Sequence, residues 1–328
     1  VGSNAGTTTV GIKVREDLGG GTSVGGSINT DWADLGGNAQ SNTAGTAQRG
    51  GFANSQNFLD VTSATLGTVR FGAPNSFTLT NATAVASPAY STGIGSAYSS
   101  NFSIANGVGT GATGYGGAAY LSTAASGSAV TGARAIRISN TVQYSSPAMN
   151  GFTAHLGSTF KNSNAGTGTD TVGVTEYALR YTNGPVDAMY TSIQYKVGDT
   201  APANGSITAG ISSKQNLLGA SYAVLPTLKL HAGFGSNTSS NDVFKGTSTQ
   251  MGATYTMGAF TLMGQTAKFD DTSSTNVDRK MIGLGLDYNL SKTARAYVRY
   301  DSLNLGSNVA VAAGSEVTRT AVGISKSF

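Results

Sequence analysis

The chain closes on AVGISKSF, residues 321–328. Val322, Ile324, Lys326 and Phe328 fall on one face of an extended strand, and Gly323, Ser325 and Ser327 on the other. The same period of two recurs upstream. Val10, Ile12 and Val14 alternate with Gly11, Lys13 and Arg15; Leu228, Leu230, Ala232 and Phe234 alternate with Lys229, His231 and Gly233; Ile282, Leu284, Leu286 and Tyr288 alternate with Gly283, Gly285 and Asp287. Helical periodicity is almost absent. Alternation alone does not separate a soluble sandwich from other sheet proteins.

Composition narrows the choice. Only 11% of the 328 residues are charged, against about 25% in a soluble domain. Mean hydropathy is nonetheless −0.08, because Ser, Thr, Asn and Gly occupy the polar positions. That balance suits a wall with one apolar and one polar, uncharged face. No run of about 18 apolar residues exists, but a membrane-spanning barrel strand needs only ~9–11 residues with alternate ones facing lipid. The absence of cysteine rules out disulfide and thiol chemistry. A net charge of +4, with scattered basic residues, does not point to nucleic acid. VGSNAGTTT (1–9) has neither a basic nor an apolar leader segment, as expected of a processed chain.

The connections alternate between short (LGGGT 18–22, NGPV 183–186, MGA 257–259, NLSK 289–292) and long (37–50, 161–172, 198–205, 236–242, 270–276, 304–314). This is the periplasmic-turn, extracellular-loop rhythm of a transmembrane barrel. Tyr144, Tyr181, Tyr222, Tyr255, Tyr288 and Phe328 each precede a short turn or the chain end, at spacings of 37, 41, 33, 33 and 40. Aromatics at one level on alternate strands make an interfacial girdle. Fifteen strands are expected, at about 7–18, 22–36, 53–66, 68–77, 134–148, 151–161, 173–183, 186–197, 206–226, 227–236, 246–257, 260–270, 278–289, 293–304 and 316–328. The first and last would run the same way. An all-antiparallel barrel has an even number of strands, so sixteen are expected in the intact protein, with one N-terminal strand missing here. The fold class is all-β, a single antiparallel barrel domain over 1–328.

The chain resembles the general diffusion porins of β-proteobacteria. The segments that carry the resemblance are VGIKVREDLGGG (10–21), LGTVRFG (66–72), RISNTVQYSSPAMNGFTA (137–154), LRYTNGPV (179–186), NLLGASY (216–222), LGLDYNLSKTARAYVRY (284–300) and VGISKSF (322–328). The resemblance implies a sixteen-stranded homotrimeric barrel in the outer membrane, in contact with lipid and lipopolysaccharide. Its lumen would be water-filled and pass small hydrophilic solutes and inorganic ions. Two departures stand out. The family's usual first strand has no counterpart, and Ala73 replaces an Arg of the family's LGRQ pattern, with Arg70 as the substitute.

In that family the third loop folds into the lumen, which here makes residues 78–133 a loop folded into the pore. Residues 71–133 contain no charged residue and no histidine, but carry Tyr90, Tyr98, Phe102, Tyr115 and Tyr120. Low-complexity surface loop is the alternative reading. On lumen parity lie Lys13, Arg15, Arg70, Arg137, Arg180, Lys229, Arg295, Arg299 and Arg319, against the acids Asp31, Asp60, Glu176 and Asp287. Lys13, Arg15, Arg70, Arg137 and Arg180 are the expected constriction residues, and a basic ring facing an uncharged loop attracts anions. The bland alternative for each arginine is pairing with a neighbouring carboxylate. Enzymatic readings fare poorly. His155 and His231 are the only histidines and read as polar wall residues, no nucleophile carries a recognisable signature, and no metal cluster or cofactor fingerprint is present. The expectation is therefore an anion-preferring passive channel without cofactor, with a substrate-specific channel or a plugged structural or adhesin barrel as alternatives.

Overall fold

The computed structural model describes residues 8–32, 55–88, 140–159, 163–164, 169–170, 173–196, 212–240, 245–273, 278–305 and 316–328. Its strands are β1 (Thr8–Gly19), β2 (Thr22–Trp32), β3 (Asn57–Ser63), β4 (Gly67–Ala73), β5 (Thr141–Ser145), β6 (Phe152–Thr159), β7 (Ser163–Asn164), β8 (Thr169–Asp170), β9 (Gly173–Asn183), β10 (Val186–Lys196), β11 (Ser212–Leu225), β12 (Leu228–Ser239), β13 (Gly246–Met257), β14 (Phe260–Asp271), β15 (Arg279–Asn289), β16 (Ala294–Leu305) and β17 (Glu316–Lys326). β7 and β8 form a hairpin of their own. The other fifteen make one sheet in which each strand pairs antiparallel with its neighbour in sequence. The sheet is not closed among the described residues. β1 and β17 run in the same direction, so pairing them directly would be parallel.

The two faces follow from the period of two. One face carries Ile12, Leu59, Leu156, Leu218, Phe234, Leu262, Leu284 and Val322, all exposed. A soluble protein would not leave so large an apolar surface to water; lipid is its natural solvent. The opposite, inner face mixes Gly, Ser, Gln and charged residues with buried apolar ones such as Met189, Ile193, Leu217, Met263 and Met281.

One strand ends earlier than the alternation suggests. Strand character was expected to run on to Phe77, but β4 stops at Ala73. Pro74 follows, and a proline has no N–H to donate to a ladder. Ser76 then caps a short helical turn, α1 (Phe77–Thr80), its Oγ accepting from Leu79 N at 3.0 Å. A π-helical turn, Asn81–Val85, continues it. The remainder of the expected loop, residues 89–133, lies outside the described residues.

Candidate pore-lining site

Residues 74–88 form a strap across the inner face. At its start, Gln56 Oε1 accepts from Asn75 N (3.1 Å), and Gln143 Nε2 donates to Asn75 O (2.9 Å). Buried Glu176 on β9 then receives Phe77 N at 3.0 Å and both the N–H and the Oγ1 of Thr78 at 2.6 Å. The free N–H groups at the start of α1 are thus satisfied by a carboxylate from the wall. Asn81 Nδ2 donates to Met189 O on β10 and Leu217 O on β11, each at 2.9 Å. Val85 packs with Ala178, Met189 and Phe77. His231 Nδ1 donates to Val85 O at 3.0 Å, and Gln250 Nε2 donates to Ala86 O. The carbonyl can only accept, so His231 carries its proton on Nδ1. The strap is thus fastened from β5 round to β13.

The strap and the main arginines share a level. Arg15 lies four residues from the turn end of its strand at Gly19, and Arg70 three from Gly67. Met189 and His231, which hold the strap, lie three residues from Val186 and Leu228. The strap thus leaves the wall beside Arg70, where Gln143 pairs in register with it, and runs at the same level to β12 and β13.

Arg15, Arg70, Arg180, Arg295 and Arg299 each have a carboxylate partner, and the burial is lopsided. Arg15 Nη2 meets Asp60 Oδ1 at 3.0 Å and Arg70 Nη2 approaches Asp60 Oδ2 at 3.8 Å. Their side chains are 53% and 34% exposed, and that of Asp60 is 4%. Arg180 grips Asp187 with two bonds, Nε to Oδ1 at 2.8 Å and Nη2 to Oδ2 at 2.7 Å. Arg295 and Arg299 share Asp287, at 2.9 and 2.5 Å. Arg299 is fully buried and also donates to Leu286 O and Val298 O, so it fastens the wall. Lys13 is exposed on the inner face of β1. Arg137 and the loop aromatics Tyr90, Tyr98, Phe102, Tyr115 and Tyr120 lie outside the described residues.

Tyr144, Tyr181, Tyr222, Tyr255, Tyr288 and Phe328 all sit on the outer face near the short-turn ends. Tyr144 Oη donates to Leu66 O at 2.9 Å. Sequence reading missed two companions. Phe152 packs on Tyr181 and Phe260 on Tyr288, with ring centroids 4.6 and 5.0 Å apart. It also missed Asp187 and Asn81. The first stands two residues past the Gly184–Pro185 turn, where the hairpin register could have revealed it. The second is hidden in an uncharged run.

A model of the Gram-negative porin family matches residues 1–307. The chain belongs to the Gram-negative porins. It is an outer-membrane β-barrel channel protein of that family. Solved structures agree with the fold. An anion-selective porin from Comamonas acidovorans is 24% identical, with a TM-score of 0.75, covering 99% of this chain and 91% of its own. In-vitro folded OmpT of Vibrio cholerae is 13% identical with a TM-score of 0.63, covering 98% and 89%. OmpF of Salmonella typhi, in complex with daunomycin, is 14% identical with a TM-score of 0.61, covering 97% and 89%. No curated protein sequence matches the chain.

Proposed function

We propose that this porin is an anion-preferring general diffusion channel for small hydrophilic solutes. One observation carries the reading. The carboxylates paired with these arginines, Asp60, Asp187 and Asp287, are sunk in the wall while most of their guanidinium partners face the lumen. Asp60 and Asp287 are 4% exposed and Asp187 15%, whereas Arg15, Arg70, Arg180 and Arg295 range from 32% to 53%. Glu176 is spent on the strap. A passing ion therefore meets positive charge first, and two of the clusters hold two arginines to one aspartate. In a narrow, low-dielectric lumen such a field raises the local anion concentration.

Residues 78–133 fold into this lumen as the constriction loop, a reading supported by the course of 78–88 over the inner face. Tyr90, Tyr98, Phe102, Tyr115 and Tyr120 give it an uncharged, aromatic surface, and Arg137 joins Lys13, Arg15, Arg70 and Arg180 on the wall side. The working unit is a homotrimer, as in the porin family, and catalysis plays no part in it. Anion selectivity in the Comamonas acidovorans porin is consistent with the reading. The test is a reversal potential across a planar bilayer under a salt gradient. Chloride preference, weakened by Arg15→Ala, is expected. Cation preference in the unaltered protein sinks the proposal.

A further inference from the structure

Of Arg15, Arg70, Arg180, Arg295 and Arg299, only Arg70 donates no hydrogen bond among the described residues. Arg15 donates to Ser23 Oγ and Asp60 Oδ1. Arg180 grips Asp187 through Nε and Nη2. Arg295 donates to Asp287, and Arg299 to Asp287, Leu286 O and Val298 O. Arg70 Nη2 comes only to 3.8 Å from Asp60 Oδ2, too far for a hydrogen bond. Its Nε is buried without a partner. What holds Arg70 is a ring. Its guanidinium carbon lies over Phe58, 4.0 Å from the centroid, well inside cation–π range.

The register of β3 and β4 makes this contact. Asp60 faces Arg70, and Phe58 faces Gly72. Arg70 and Phe58 are therefore diagonal neighbours on the inner face, a separation that an aromatic and a long side chain bridge. Gly72 puts no side chain between them. Its φ is +132°, and a Cβ there would stand 2.4 Å from Asn57 O, so the position stays bare. On β2 the residue facing Phe58 is Ser27, which is also small. Beneath Arg70, Asp60 has given Oδ1 to Arg15. Oδ2 is the natural seat for a second guanidinium, since such pairs ordinarily close to about 2.7–2.9 Å. Arg70 stops short of it, on the ring.

We infer that Phe58 is a positioning residue for selectivity: its ring holds Arg70 off Asp60, so that the guanidinium keeps its charge and its Nη donors for the lumen rather than for the wall. The inference deepens the proposed anion preference and rests on it. Arginine suits the role, because a planar guanidinium lies flat on a ring while its edge remains free to donate. Without the ring, Arg70 settles onto Asp60 Oδ2, and a passing anion meets a closed ion pair in place of an open fork.

The experiment is a reversal potential across a planar bilayer under a potassium chloride gradient, for the native protein and for Phe58→Leu. Leucine keeps an apolar side chain and the chain's charge but has no π face. The chloride-to-potassium permeability ratio is expected to fall about two- to fivefold. Phe58→Tyr keeps the ring and should keep the native ratio. In an Arg70→Ala background, adding Phe58→Leu should change nothing further, because the effect runs through Arg70. A general distortion of the barrel would instead lower the ratio in both backgrounds. An anion-preferring native channel whose ratio is unmoved by Phe58→Leu overturns the inference and leaves the proposed function standing, as does an equal fall with and without Arg70. Cation preference in the native protein overturns both.

Discussion

Arg15 on β1 reaches Asp60 on β3 across the strand between them, Nη2 to Oδ1 at 3.0 Å. It can do so because the residue in register on β2 is Gly25. A methyl group there would stand 2.9 Å from Asp60 Oδ1 and 3.1 Å from Arg15 Nη2. Charge and geometry can thus be altered separately. Asp60→Asn removes the buried negative charge beneath two arginines and should strengthen chloride preference. Arg15→Ala and Arg70→Ala should weaken it. Gly25→Val leaves the charge count intact, so its reversal potential should move less than that of Arg15→Ala, while overpacking costs about 1–3 kcal/mol of stability. Shifts of the same sign in Asp60→Asn and Arg15→Ala would show that these charges do not set selectivity.

The Arg180–Asp187 pair is bidentate and neutral as a unit. Arg180→Gln should leave Asp187 uncompensated and move selectivity toward cations. Asp187→Asn should free Arg180 and move it toward anions. The double variant should return near the native value, since the net charge is restored. Reversal potentials of the three variants check this, and a double variant that behaves like either single one contradicts it.

The strap is held at two points on nearby strands, Glu176 on β9 and Gly219 on β11, and each can be loosened separately. Glu176→Ala leaves the N–H groups of Phe77 and Thr78 without their acceptor, at a cost of about 1–3 kcal/mol. Glu176→Gln keeps one accepting oxygen and should be milder. Gly219 on β11 lies beneath Asn81, and an added Cβ would overlap Asn81 Oδ1. Gly219→Val should therefore lift the strap without touching Glu176. In single-channel records Glu176→Ala and Gly219→Val should both give noisier open-channel current than the native protein. Quiet, native-like current in both would mean that the strap does not reach the conducting path.

The strands were legible because one face meets lipid and the other does not, which imposes the period of two from Val10 to Phe328. Parity also assigned inner and outer positions, so Arg15, Arg70, Arg180, Asp60 and Glu176 could be sorted by face from the sequence. Their partners could not. Arg15 and Asp60 are 45 residues apart, and Glu176 is 98 from Thr78, so each contact depends on register carried through long loops. Strand β4 misled for a local reason. GTVRFGA alternates well, and only Pro74 and the Ser76 cap mark where ladder gives way to helix. Asn81 carries the strap on β10 and β11, yet in sequence it is one more polar residue in a run of Ser, Thr, Asn and Ala.

The outer face makes a depth-dependent prediction. Leu284 lies four residues from Tyr288, opposite Gly264 on β14 and Tyr300 on β16, and is half exposed to the surroundings. At that depth an arginine has no water to reach, and Leu284→Arg should cost about 2–4 kcal/mol in lipid vesicles. Thr238 is exposed at the long-loop end of β12, where a cation meets headgroups, and Thr238→Arg should cost about 0–1 kcal/mol. Urea unfolding followed by tryptophan fluorescence measures both. Equal penalties at the two positions would mean that the apolar face of β15 is not turned to the hydrocarbon.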